Sequence, residues 1–132
     1  MKPVTIGQRH THRVRTTHAH TADALGNKGF NVVATPVLIG FLEDAATECL
    51  KPSLEAGEGS VGTFVNVRHL APAPAGAVVE VTAQVSATKG RQIEFAVAVK
   101  WGEVPLMEGT HGRAVVDLAR FLARLATMRP AV

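Results

Sequence analysis

The chain has one cysteine, Cys49, so it can form no internal disulfide. That excludes the disulfide-stapled secreted scaffolds and fits a reducing compartment. No apolar run approaches the length of a membrane-spanning helix. The opening Met1-Lys2-Pro3-Val4-Thr5 lacks the apolar stretch of a secretory leader. A cytoplasmic protein is the expectation. Neither sign of charge is clustered. The net charge is only +3 and the basic residues are dispersed, so no nucleic-acid partner is expected. The mild basic tilt suits an anionic small molecule. Internal repeats and low-complexity segments are lacking, and helices do not alternate with strands as a parallel doubly wound sheet requires. What remains is 132 residues at 46% hydrophobic composition, which suits one domain over 1–132 with a single core.

One stretch organises the rest: Ala34-Thr35-Pro36-Val37-Leu38-Ile39-Gly40-Phe41-Leu42-Glu43, running on to Lys51-Pro52. It is the only long helical pattern in the first hundred residues. Thr35 can cap its free N–H groups, Pro36 suits the first helical position, and Pro52 marks the end. At about 100° per residue, Asp44, Glu48 and Lys51 make one polar stripe. Glu43 lies off that stripe, beside Ile39, Ala46 and Leu50. A carboxylate at the edge of an apolar face must be paired, hydrated or functional. Cys49 has apolar helical neighbours and reads as a packed core thiol.

Residues Val4 to Thr17 alternate loosely and predict a polar, edge-like strand. From His18 to Ala34 no periodicity holds. Gly26-Asn27-Lys28-Gly29 predicts a mobile tip in a long loop, and such loops commonly serve as lids or binding loops. After the helix, Val61 to Leu70 reads as a strand with Val61, Thr63, Val65, Val67 and His69 on one face and Gly62, Phe64, Asn66, Arg68 and Leu70 on the other. Val78–Thr88 and Arg91–Trp101 alternate around a Lys89-Gly90 turn and predict a hairpin. Its inward residues are Val79, Val81, Ala83, Val85 and Ala87, then Ile93, Phe95, Val97, Val99 and Trp101. A last strand from about Val104 to Val116 contains Gly109 and Gly112, which suggest a bulged path. Asp117 can cap a terminal helix with Leu118, Phe121, Leu122 and Leu125 on one face. The order predicts an α+β fold in which one curved antiparallel sheet wraps a mostly apolar helix.

Taken singly, the polar residues near that helix have plain readings. Glu43 is a helix-edge acid, His69 a boundary histidine bonded to a backbone carbonyl, Thr35 a cap, and Gly57 and Gly59 turn residues. If the sheet wraps the helix, however, Thr35, Glu43 and His69 converge. Hydroxyl, carboxylate and imidazole are the groups hydrolysis needs. Gly62 would let backbone N–H groups approach a developing oxyanion. The pairs His10/His12 and His18/His20 could each share a strand face, but no acid or thiol stands beside them at ligand spacing, so no metal is expected. In Gly109-Thr110-His111-Gly112-Arg113, Arg113 could meet a phosphate, a carboxylate or a neighbouring salt-bridge partner.

From about Thr5 to Leu125 the chain resembles the hotdog-fold thioesterases, specifically the family typified by fluoroacetyl-CoA thioesterase. Three stretches carry the resemblance: Ala34 to Glu43; Glu55-Ala56-Gly57-Glu58-Gly59-Ser60-Val61-Gly62-Thr63 with Val67-Arg68-His69; and Glu108-Gly109-Thr110-His111-Gly112-Arg113-Ala114-Val115. The resemblance implies a hotdog fold and hydrolysis of an acyl-CoA thioester without a cofactor beyond the substrate's own CoA. It implies a homodimer whose sheets join edge to edge near the active sites. It implies a Thr–Glu–His catalytic set on Thr35, Glu43 and His69, a carbonyl-placing glycine at Gly62 and a site arginine at Arg113. The family's aromatic lid has a counterpart here in Phe30. Two rival readings share the fold. One is a non-catalytic module that binds acyl-CoA. The other is a hydratase, which expects a histidine on the helix, and residues 34–52 contain none.

Overall fold

The computed structural model describes residues 1–131. Strand β1 is Arg9–Arg15, helix α1 is Thr35–Leu50, and strands β2 to β5 are Glu58–His69, Val78–Lys89, Gln92–Trp101 and Val104–Asp117. Helix α2, Leu118–Thr127, ends the fold. The strands form one antiparallel five-stranded sheet in the order β1-β3-β4-β5-β2. β1 and β2 are therefore its two edges.

α1 lies against one face of this sheet. Leu38, Leu42, Ala45, Ala46, Cys49 and Leu50 are its buried residues. They meet Val79, Val81, Ala83 and Val85 of β3 and Ile93, Phe95, Val97 and Val99 of β4 in one core. Each fully buried Leu, Ile or Phe there contributes on the order of 2 kcal/mol of hydrophobic free energy. The period-2 pattern of β3 and β4 follows from this arrangement, because only one sheet face meets the helix. Asp117 caps α2, accepting the Arg120 N–H at 2.9 Å.

Two expectations fail at register shifts. The first lies between Gly62 and Phe64. Its extra residue reverses the alternation, so Gly62, opposite Arg113, faces the helix like Val65, Val67 and His69. The second, between Val85 and Ala87, turns Ala87 out to solvent. A further shift, between Val99 and Lys100, puts its extra residue, Leu106, in β5 and leaves the alternation of β4 intact; Trp101 is 38% exposed because it ends β4, opposite the exposed Val104. Alternation read along a sequence cannot register an inserted residue.

The loop before α1 closes on itself through hydrogen bonds. The Asp23 carboxylate accepts the Gly29 N–H at 2.9 Å, and backbone bonds link Ala22 with Val32 and Asp23 with Phe30. Thr21 is fully buried and its hydroxyl donates to the His18 carbonyl at 2.7 Å.

Candidate active site

The start of α1 differs from its sequence-based description. Ala34, not Thr35, is the N-cap, and it offers no side-chain hydrogen bond. The reason lies upstream. Val33 and Ala34 donate their N–H groups to the Ala73 and His20 carbonyls, which keeps the chain extended through Ala34. The helix turns only at Thr35, and Pro36, with no N–H, removes one donor that would otherwise need a partner. Thr35 Oγ1 is thereby released from capping. It meets His69 Nδ1 at 2.7 Å. Both residues are exposed. His69 is thus no boundary histidine held by a backbone carbonyl.

Glu43 sits two turns further along α1, roughly 12 Å from Thr35 along the axis. Its Oε2 lies 3.5 Å from Arg113 Nη1, and its side chain is 42% exposed. A Cβ built on Gly62 would come within 2.8 Å of that same oxygen. The glycine therefore makes room for the carboxylate. Glu43, Gly62, Thr63, Phe64, Val65 and His111 line a pocket of about 280 Å³. It opens at β2, where the sheet ends.

Arg113 is 7% exposed. Its Nε donates to Ser60 Oγ and its Nη2 to the Ser60 carbonyl, both at 2.9 Å. Its Nη1 lies 3.3 Å from His111 Nε2. Burial pulls the guanidinium pKa down, while Glu43 and Asp44 counter the shift. Arg113 is thus a buried cation facing Glu43. Ser60 and His111 join the site only through these contacts, not through any sequence motif. The available signal was a histidine at an inward position between Gly109 and Arg113, in a strand that otherwise buries Met107 and Val115.

Within one chain the expected site is divided. Thr35 and His69 are together, and Glu43, Gly62 and Arg113 are together. Gly62 and His69 lie at opposite ends of a strand segment roughly 20 Å long. Phe30 is 58% exposed on the loop surface. Of the paired histidines, His10 Nε2 and His12 Nδ1 approach to 3.1 Å. Among the described residues no group of three or more His, Cys, Asp or Glu side chains could hold a metal ion. No described helix is long and apolar enough to cross a membrane.

A family model described as fluoroacetyl-CoA-specific thioesterase matches residues 16–119. The fluoroacetyl-CoA thioesterase of Streptantibioticus cattleyicolor is 39% identical over 100 residues, which span 76% of this chain and 72% of that protein. A solved structure of the fluoroacetyl-CoA thioesterase FlK matches with a TM-score of 0.89 at 33% identity, covering 98% of this chain and 100% of that one. A thioesterase-superfamily protein of Thermus thermophilus matches with a TM-score of 0.88 at 26% identity, over 96% of this chain and 93% of its own. A hot-dog-like protein from Thermanaerovibrio acidaminovorans, 22% identical with a TM-score of 0.85, shares the fold.

Proposed function

The chain belongs to the fluoroacetyl-CoA-specific thioesterase family, and from that premise we propose that two copies pair along β2 and hydrolyse a small acyl-CoA thioester with Thr35, Glu43 and His69. The observation that carries this reading is the division of the site. Each half is incomplete for hydrolysis, and both border the same unpaired sheet edge. A two-fold axis at Asn66 would join them. Counting the bulge as one position, antiparallel pairing about Asn66 sets Val65 against Val67 of the partner subunit. It sets Phe64 against Arg68 of the partner subunit, and Gly62 against His69 of the partner subunit. Directly opposed residues in an antiparallel pair share a face. Gly62 and His69 both face the helix side, so the faces agree. Phe64 and Val65, at 43% and 39% exposure, would be covered in the process.

In such a shared site the thioester carbonyl lies against the Gly62 backbone of one protomer and Thr35 of the other. Glu43 supplies the attack on the carbonyl carbon, with its own oxygen or through a water it deprotonates. His69 delivers a proton to sulfur as the C–S bond breaks, and its hydrogen bond to Thr35 orients the ring. Water is consumed, and a carboxylate and free CoA leave. CoA is part of the substrate, and no other cofactor is required. Phe30, on the loop that leads into Thr35, is the aromatic side chain available to contact the acyl group. The buried, unpaired Cys49 suits a reducing cytoplasm.

The test is complementation. Glu43→Gln and His69→Ala should each fold and each lose turnover. Mixed by co-refolding, they form dimers in which one site carries both substitutions and the other carries neither. About a quarter of parental activity should return, since half the dimers are mixed and half their sites are intact. Demonstrated mixed dimers without recovery would sink the shared site. Full activity of Glu43→Gln on every member of a panel of short, branched, aromatic and fluorinated acyl-CoAs would sink the assignment of Glu43.

A further inference from the structure

His111 has no part in the reaction as described, yet it is the most enclosed histidine beside the site, at 1% exposure. Its Nδ1 lies 2.8 Å from the Phe64 carbonyl oxygen, and its Nε2 lies 3.3 Å from Arg113 Nη1. The ring stacks on Phe95 with centroids 6.3 Å apart. A carbonyl only accepts a hydrogen bond and a guanidinium only donates one. Both contacts therefore demand one form of the ring: neutral, with its proton on Nδ1. The two hydrogens of Arg113 Nη1 then have separate destinations, His111 Nε2 on one side and Glu43 Oε2 on the other. Ser60 holds the opposite edge of the guanidinium. Phe64 begins the run just past the bulge that turns Gly62 toward the helix.

Resting on the reading of Glu43 as the catalytic carboxylate, we propose that His111 is a positioning residue for the hydrolysis, a neutral Nδ1-protonated ring that sets Arg113 opposite Glu43 and anchors the Phe64 carbonyl at the bulge. The charged groups facing it are Arg113 from its own strand and Glu43 from α1; Phe64 on β2 and Phe95 on β4 add no charge. Burial, reinforced by Arg113, holds the imidazole pKa below its ordinary value, against the pull of the Phe64 carbonyl and Glu43. A second proton on Nε2 would point an N–H at a group that cannot accept it. Arg113 would then lose one of its anchors.

Two substitutions separate the arms. Glutamine places an amide oxygen near Nε2 and keeps an acceptor for Arg113. Asparagine places an amide N–H near Nδ1 and keeps only the donor to Phe64. His111→Asn should lower kcat roughly ten-fold with KM within about two-fold, whereas His111→Gln should stay within about three-fold of the parent. In the parent at pH 7, nitrogen NMR should find the ring neutral with its proton on Nδ1. Parental kcat in His111→Asn would overturn the proposal. So would equal losses of kcat in both variants that track equal losses of melting temperature, which would mark packing alone. A ring protonated on Nε2 would overturn it as well. Failure of the underlying reading is separate, because it shows as activity in Glu43→Gln whatever the state of His111.

Discussion

The two halves of the site use similar parts in opposite ways. One half is Thr35 with His69, where the helix begins and the edge strand ends. Both residues are exposed and joined by one hydrogen bond. The other half is Glu43 with Arg113 and His111, midway along the helix. There Arg113 and His111 are buried, and Arg113 is anchored to both Ser60 and His111. The difference follows from position in the sheet. β5 lies between β4 and β2, so its inward side chains are enclosed, whereas β2 has a neighbour on one side only. A buried charge needs a set of partners to remain ionised in low dielectric. A group that exchanges protons with a substrate must stay within its reach. The enclosed half is built to hold a charge and the open half to meet something, and the pocket between Glu43 and β2 is likewise open at the edge.

The largest effect expected within one chain concerns Gly62. Gly62→Ala brings a methyl within 2.8 Å of Glu43 Oε2, closer than packed atoms tolerate. The carboxylate is the far end of a flexible side chain, so it yields rather than the fold. With Glu43 as the proposed attacking carboxylate, turnover should fall roughly ten- to hundred-fold, because a displacement of about 1 Å is that costly. Melting should shift by only a few degrees. Parental kcat would show that the carboxylate needs no fixed place, which breaks the contrast between the halves.

The next measurement tests how the halves meet. With a two-fold axis at Asn66, Asn66→Cys places two thiols on directly opposed residues, whose Cα atoms lie about 4.5–5.5 Å apart in an antiparallel pair, within disulfide reach. Mild oxidation should convert most of the protein into a covalent dimer, since the native Cys49 is buried and does not compete. A chain that stays monomeric on a non-reducing gel would rule out this register.

The smallest effect is on stability against pH. The folded pKa of His111 is lowered from 6.5. Below pH 6.5 the unfolded chain therefore takes up a proton that the folded chain refuses, and stability falls as pH drops toward the folded value. His111→Gln removes this contribution and should flatten the decline by a few degrees of melting temperature. Glu58 acts lower. The Glu55 N–H first, then the N-terminal ammonium and Arg91, push its pKa down to about 2 from 4.5. Its contribution is present above pH 4.5 and is lost as pH falls toward 2. Identical pH–stability curves for the parent and His111→Gln would mean that the enclosed half is not protonically distinct.

Much of this molecule is legible without coordinates. The hairpin of β3 and β4 announces itself because each strand buries one face, and a period of two survives translation into sequence. Asp117 caps α2 as expected, because capping depends on neighbours in the chain. Glu43 stands out because helical geometry converts its spacing into an angle. The errors share a different character. Gly62 and Ala87 lie on the faces opposite to those alternation predicts, since a bulge depends on the partner strand, and Trp101 is exposed because it ends its strand. That Ala34 rather than Thr35 starts the helix is invisible in the sequence, because the bonds of Val33 to Ala73 and of Ala34 to His20 are long-range. The place of His111 is not legible along the chain, since Phe64 and Phe95, which hold its ring, come from β2 and β4.

The amino-acid order by itself determined the elements, the apolar face of the helix and the presence of a hydroxyl, a carboxylate and an imidazole near it. These rest on local periodicity and on side-chain chemistry. Only the tertiary structure decided that Thr35 turns to His69, that Glu43 turns to Arg113 and that one strand keeps the two pairs apart. Those outcomes depend on which strand neighbours which and where an extra residue interrupts a ladder. Such relations arise between distant parts of the chain, so no periodicity along it records them.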